Sequence, residues 1–250
     1  MKMSSSKILL ESEKEKKVIR TGNEELDRRV GGLPYPTLCL IEGENSSGKS
    51  VFAQVLTYGA LKQGYLIHYI TTENTVKSLL DQMESLNLNV TPYYISWNFS
   101  ITSINVKGIR WNKELCMRFL GILREFIKFL HEVMRRDIVI VDNLTHFIAP
   151  LPENRVLDFF SSLREYVDSS EVAIFLTLHP YAINQDLLIR IRSVCDGNII
   201  FQIKEVGDQV LRLMKIPKLR GARKKIDTAI GFTVDPAFGM KIIPISLAKA

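Results

Sequence analysis

The segment Gly43-Glu44-Asn45-Ser46-Ser47-Gly48-Lys49-Ser50 constrains this chain more than any other. It reads glycine, four residues, then Gly-Lys-Ser. The apolar run Leu38-Cys39-Leu40-Ile41 precedes it, and an apolar-periodic stretch from Val51 to Leu61 follows. Strand, glycine loop and helix in that order are the setting that a phosphate-binding P-loop needs. Successive main-chain N–H groups of such a loop form an anion-binding concavity, and the helix N-terminus adds partial positive charge. The candidate nucleotide contacts are therefore Gly43, Asn45, Ser46, Ser47, Gly48, Lys49, Ser50 and Val51. The Lys49 ammonium is placed to reach β- and γ-phosphates, and the Ser50 hydroxyl to ligate Mg²⁺. Without those flanks the same residues would read as a glycine turn ahead of a helix.

A chain of 250 residues suits one α/β domain with a full core. We expect that domain over 18–250, preceded by a flexible or helical extension, 1–17, rich in Ser, Glu and Lys. At 46% hydrophobic residues, disorder is not the overall state. No apolar run approaches membrane-span length, and Ile8-Leu9-Leu10 is too short for a signal-peptide core, so we expect a cytoplasmic chain without membrane insertion. Cys39, Cys116 and Cys195 are odd in number and widely spaced, as buried free thiols are, and offer no metal-ligand spacing. The net charge of +6 has a single source. Six basic residues and no acid lie between Lys215 and Lys225, and removing them leaves the rest balanced. That is a local anion site, not a coating for nucleic acid.

Along the chain, Asn23 is placed to cap a short helix that Gly31-Gly32 ends. Strand 38–43 and helix 49–62 bracket the P-loop. Strand 65–72, a helix from 73–75 to about 86, one strand and a loop within 87–111, and a long helix 112–135 come next. The long helix carries Leu115, Phe119, Ile122, Leu123, Phe126, Ile127 and Leu130 on helical spacing. Strand 137–142, helix 154–168, strand 172–178 and helix 186–193 continue the alternation. From Gly197 four strand-like runs follow one another: 198–204, 209–216, 229–234 and 240–245. The pattern predicts a mostly parallel sheet flanked by helices, extended by C-terminal antiparallel hairpins.

Ligands of open parallel sheets gather at the carboxyl ends of strands, so residues there complete the candidate site. Asp142 ends an apolar strand as a Mg²⁺-supporting Walker B aspartate does; alternatively it caps the segment containing Asn143 and Thr145. Glu73 ends the strand after the P-loop helix, either as a base orienting water or as a solvated first-turn acid favoured by the helix dipole. Thr177 and His179 close strand 172–178, to sense a γ-phosphate or to pack and cap. Lys218 and Arg220, two apart in Lys218-Leu219-Arg220-Gly221, share a strand face. They are a solvated basic hairpin, or a pair acting in trans at a neighbouring subunit's phosphates. His68, His131 and His146 show no ligand spacing.

The ordered set Gly22-Asn23-Glu24-Glu25-Leu26-Asp27, Gly31-Gly32-Leu33-Pro34, the P-loop, Tyr69-Ile70-Thr71-Thr72-Glu73, Asp142 and Lys218-Leu219-Arg220-Gly221 resembles the KaiC branch of RecA-like ATPases. Ile41 to Asn45, Gln82 to Leu86 and the run Ile230 to Pro244 look more closely like the ATP-binding accessory proteins of the archaeal motility filament, the archaellum. The resemblance spans about 18–246. It implies a RecA-like fold, ATP and Mg²⁺ as ligands, and a homo-oligomeric ring, commonly hexameric, with ATP between subunits. It also implies a place at the cytoplasmic face of the motor beside the assembly ATPase FlaI and the scaffold FlaX, with weak hydrolysis or none. KaiC-type sites carry two consecutive Glu residues after the second strand, whereas this chain has Glu73-Asn74. Losing half of a carboxylate pair slows hydrolysis while leaving phosphate binding intact. A DNA-directed recombinase-like ATPase, a scaffold with a relic P-loop and an autokinase are the other functions that such a core permits.

Overall fold

The computed structural model describes residues 18–106, 108–206, 209–222, 229–237 and 239–244. The expected extension 1–17, and Arg223, Lys224 and Lys225 of the basic segment, fall outside these. A two-stranded antiparallel pair opens the described chain, β1 (Val18–Ile19) with β2 (Leu33–Pro34). Between them lies α1 (Glu24–Val30), which Asn23 caps by accepting from Leu26 N and Gly31 ends at φ 83°. The main sheet has nine strands among the described residues. Its parallel part consists of β3 (Thr37–Gly43), β4 (Ile67–Thr71), β5 (Phe99–Ser103), β6 (Ile138–Asp142), β7 (Ala173–Leu178) and β8 (Gly197–Val206). Antiparallel β9 (Gln209–Leu219), β10 (Ile230–Asp235) and β11 (Gly239–Ile243) extend one side. The spatial order is β11-β10-β9-β8-β3-β7-β6-β4-β5, the mixed sheet that the sequence pattern predicts.

Both faces of the parallel part are covered, which is why its strands read as continuous apolar runs instead of alternating ones. Cys39 and Ile41 point to one core, with α2 (Lys49–Lys62) and α3 (Val76–Ser85). Leu38 and Leu40 point to the other, with α5 (Lys113–Glu132), α6 (Thr145–Ile148), α7 (Glu153–Ser169) and α8 (Gln185–Val194). Residues 87–111 hold more than a strand and a loop: α4 (Thr91–Ile95) precedes β5, with Pro92 in its first turn where the missing N–H costs nothing. Of the long helix's expected stripe, Phe119, Leu123, Phe126, Ile127 and Leu130 pack inward, and Leu115 and Ile122 do not. Cys116, Leu120, Leu123, Ile127 and Leu130 are buried, whereas Leu115 is exposed and Ile122 is 66% exposed. The apolar residues of α5 cover more than half its circumference, so spacing alone did not exclude those two.

Helix α2 is buried nearly all round, wedged between the sheet and the chain leading into α1. At Gly59 a Cβ would lie 2.1 Å from the Thr21 carbonyl carbon. Helix propensity alone favours Gly59→Ala by about 1 kcal/mol. Overpacking against main chain acts the other way at roughly 1–3 kcal/mol or more. We expect a net loss of about 2 kcal/mol in urea denaturation; a more stable variant would mean that residues 18–22 do not seat on α2.

Candidate functional site

The carboxyl ends of β3, β4, β6 and β7 stand level: Thr71 pairs with Asp142, and Glu42 with Leu178. Everything hung on those ends therefore converges. The P-loop leaves β3 at Gly43 and turns into α2 through Gly48 (φ 101°), where a Cβ would also sit 2.7 Å from the Phe232 ring. Backbone conformation and a strand-10 aromatic thus both require glycine there. Ser46 is left-handed too (φ 60°). The Arg212 guanidinium of β9 braces the loop, donating to the Ser46 carbonyl at 3.0 Å.

Lys49 is 5% exposed. Its ammonium donates to the Glu44 carbonyl at 2.9 Å and lies 3.4 Å from His179 Nδ1. Among the described residues no ion pair joins it to a carboxylate. Burial pulls its pKa below the ordinary lysine value, against the raising influence of Asp142, Glu73 and Glu44. A desolvated cation without an ion-pair partner is a receptor for an anion.

Asp142 is buried and accepts three hydroxyl donors: Thr177 at 2.6 Å, Tyr69 at 2.7 Å and Ser50 at 3.3 Å. Burial still raises its pKa, because those hydrogen bonds only partly offset desolvation. A divalent cation would supply the missing compensation. Ser50 Oγ beside Asp142 Oδ1 offers the hard oxygen donors that suit Mg²⁺, an ion held by few protein oxygens together with substrate phosphates and water. The donor set fits. Asp142 does not cap the next segment: α6 has Leu144 at its N-cap without a side-chain capping bond, and it is the Asn143 side-chain oxygen that accepts from Thr145 N, at 3.0 Å.

The Asn143 amide also donates to the Glu73 carboxylate, and His179 Nε2 lies 3.8 Å from it. His179 first, then Lys49 and Asn143, hold the Glu73 carboxyl below its usual range. Asn74, where the resemblance expects a second carboxylate, accepts from the Ser78 hydroxyl at 3.1 Å, next to Thr75, which caps α3. The P-loop, Glu73, His179, Arg212 and Val234 enclose an open depression of about 280 Å³.

Of the residues expected from sequence, Asn45, Ser46, Gly48, Lys49, Ser50, Val51, Glu73 and His179 line that depression. Thr177 does not: it is fully buried, with its hydroxyl committed to Asp142. Lys218 and Arg220 are not at their own P-loop either. Leu219 pairs with Gly197, which pairs with Cys39, so they stand level with the start of β3, roughly 13 Å down the sheet from Gly43 at ~3.3 Å per residue. Lys218 donates to the carbonyls of Arg192 at 3.0 Å and Ser193 at 2.9 Å in the last turn of α8. Arg220 is exposed, 3.7 Å from Asp196. The sequence did not single out Tyr69, which reads as strand core, or Arg212, one of several strand cations. Only the register of Thr71 with Asp142 brings the first to its place.

A family model described as "ATPase: KaiC" matches residues 19–246. The archaeal flagellar ATP-binding protein FlaH of Sulfolobus acidocaldarius is 33% identical over 236 residues, 93% of this chain and all of that protein. FlaH of Methanocaldococcus jannaschii is 28% identical, covering 92% of this chain and 97% of its own length. The crystal structure of the flagellar accessory protein FlaH from Methanocaldococcus jannaschii aligns with a TM-score of 0.78 at 26% identity, over 91% of this chain and 99% of that one. A KaiC-like protein of Pyrococcus horikoshii, 20% identical over 91% of this chain and 99% of its own, shares the fold at a TM-score of 0.72.

Proposed function

This chain belongs to the KaiC family of ATPases and groups within it with FlaH, and we propose that it binds Mg-ATP as an accessory component of an archaeal flagellar motor, with nucleotide as an assembly switch. One observation carries the reading. A buried lysine without an ion-pair partner among the described residues, a P-loop, a metal-fitting Ser50–Asp142 pair and Glu73 meet at one set of strand ends. Lys49 and the loop amides hold the triphosphate, Ser50 and Asp142 hold Mg²⁺, and Glu73 orients water where hydrolysis occurs. Bound there, Mg²⁺ supplies neutralisation of phosphate charge.

Slow turnover is part of the proposal. A carboxylate held below its usual pKa is a weaker proton acceptor, and the neutral Asn74 side chain accepts from the Ser78 hydroxyl. Lys218 and Arg220 lie away from their own site, the arrangement that a trans contact requires; an ATP-bridged ring, six-membered by the family resemblance, follows. FlaI and FlaX are the partners that the same resemblance supplies. Nucleic acid stays outside the proposal, because the excess positive charge is confined to the segment from Lys215 to Lys225 and the rest of the chain is balanced.

Light scattering with and without Mg-ATP tests the switch. At a hundredfold excess over its dissociation constant, ATP that binds only the assembled form favours it by about 2.7 kcal/mol. We expect a larger species with Mg-ATP and little phosphate release; a size indifferent to nucleotide, or brisk turnover, rejects the reading.

A further inference from the structure

Glu42 immediately precedes the P-loop, and its carboxylate is fully buried. It faces away from the depression, toward the core that α8 covers, and Arg192 of that helix grips it with two hydrogen bonds: Nε to Oε1 at 2.8 Å and Nη2 to Oε2 at 2.6 Å. Two charge-assisted bonds with one partner in the interior make this a firm ion pair. The main-chain carbonyl of the same Arg192 accepts from the Lys218 ammonium. One residue therefore touches both halves of the proposed machinery. Its side chain holds the strand that carries this subunit's phosphate loop, and its carbonyl holds the cation that this subunit offers to a neighbour.

We infer that Glu42, Arg192 and Lys218 form a link coupling each subunit's own phosphate loop to the cationic pair it presents in trans, with Glu42 as the positioning residue. The inference rests on the trans reading given above. The element with two arrangements is Lys218. In the chain alone it caps the last turn of α8, filling two carbonyls that a helix end leaves open. In the assembled form the same ammonium turns to the neighbour's phosphates, and the α8 terminus gives up its cap. Arg220, exposed and 3.7 Å from Asp196, has no comparable internal commitment to break. How readily Lys218 leaves depends on how firmly the last turn of α8 is held, and the grip of Arg192 on Glu42 sets that. Through Glu42, next to the P-loop, a change at the loaded phosphate site would reach the helix end. A surface ion pair would be worth too little to do this, but a buried bidentate pair resists displacement strongly because breaking it strands a charge.

A double-mutant cycle on the full chain tests the link, using Glu42→Gln, Lys218→Met and both together. Three quantities are measured: the melting temperature, ATP affinity at protein concentrations too low for assembly, and the Mg-ATP concentration giving half-assembly. Glu42→Gln is expected to keep ATP affinity within about twofold while moving the half-assembly point fivefold or more, the lower edge of typical coupling between sites. The double variant should assemble no worse than Lys218→Met. The paired replacement Glu42→Met with Arg192→Met, which removes the side-chain half of the link, keeps the carbonyl and leaves no buried charge unpaired, should move the midpoint as Glu42→Gln does and covers the case in which the latter folds poorly. Variants that are stable, bind ATP and assemble at the wild-type midpoint overturn the link, and so do effects that simply add in the double. A wild-type chain indifferent to Mg-ATP overturns the switch reading and the link with it, a result the wild-type measurement alone identifies.

Discussion

Replacing Lys49 with Met should lower ATP affinity at least a hundredfold and leave the unliganded protein as stable as the wild type or more so. Both halves follow from one environment. The Lys49 ammonium is desolvated, held by a carbonyl and near an imidazole, with no ion pair to a carboxylate among the described residues. Its folded-state pKa is lowered, so the native state binds the Lys49 proton less readily than the unfolded chain does. The charged group therefore costs the apo fold stability at neutral pH, and that cost fades as pH rises from the lowered folded value toward the unfolded one. Methionine fills the same volume without the charge. The triphosphate, by contrast, loses its interior cation, an interaction worth several kcal/mol once paired and desolvated. Calorimetric titration and thermal melting of the same sample decide it. A variant that melts well below wild type would show that Lys49 supports the fold, and one that keeps its affinity would place the phosphate elsewhere.

The sequence showed this site unevenly, for reasons that lie in the kind of information each part needs. Gly48 announces itself because one position must be left-handed and open to the Phe232 ring at once. Glu73 and Asp142 are legible because each ends an apolar run, and strand ends of a parallel sheet share an edge. The parallel sheet with its antiparallel side was legible from element order alone. Thr177 stands at the expected strand end but gives its hydroxyl to Asp142 instead of lining the depression, since position along a strand says nothing about which acceptor a hydroxyl finds. Glu42, Arg192 and Lys218 are 150 and 26 residues apart along the chain, and no local pattern joins them. The inward face of α5 was legible in part: Phe119, Leu123, Phe126, Ile127 and Leu130 do pack inward, but its apolar residues outnumber what one core stripe holds, so periodicity also drew in the exposed Leu115 and Ile122.

Asp142→Asn separates metal support from structural support and should abolish the Mg²⁺ dependence of nucleotide binding. The wild-type carboxylate has its pKa raised by burial, so the folded state holds the Asp142 proton more tightly than the unfolded chain. Its contribution to stability is full below the unfolded value and is lost as pH rises through the raised folded value, because ionising the buried carboxylate costs the fold stability. Asparagine removes that charge. Its carbonyl still accepts from Thr177 and Ser50, and its amide can donate to the Tyr69 oxygen once that hydroxyl turns. The apo variant should therefore melt near or above wild type at neutral pH and lose the acid-side advantage of the wild type. Asp142→Ala is the contrast: three hydroxyls lose their acceptor, at about 1–3 kcal/mol for each buried group left unsatisfied. Mg²⁺ should tighten ATP binding tenfold or more in the wild type and leave Asp142→Asn unchanged. If the asparagine variant still responds to Mg²⁺ as the wild type does, the ion is held by Ser50 and phosphate alone, and the buried carboxylate serves only to order Thr177, Tyr69 and Ser50 around the strand ends.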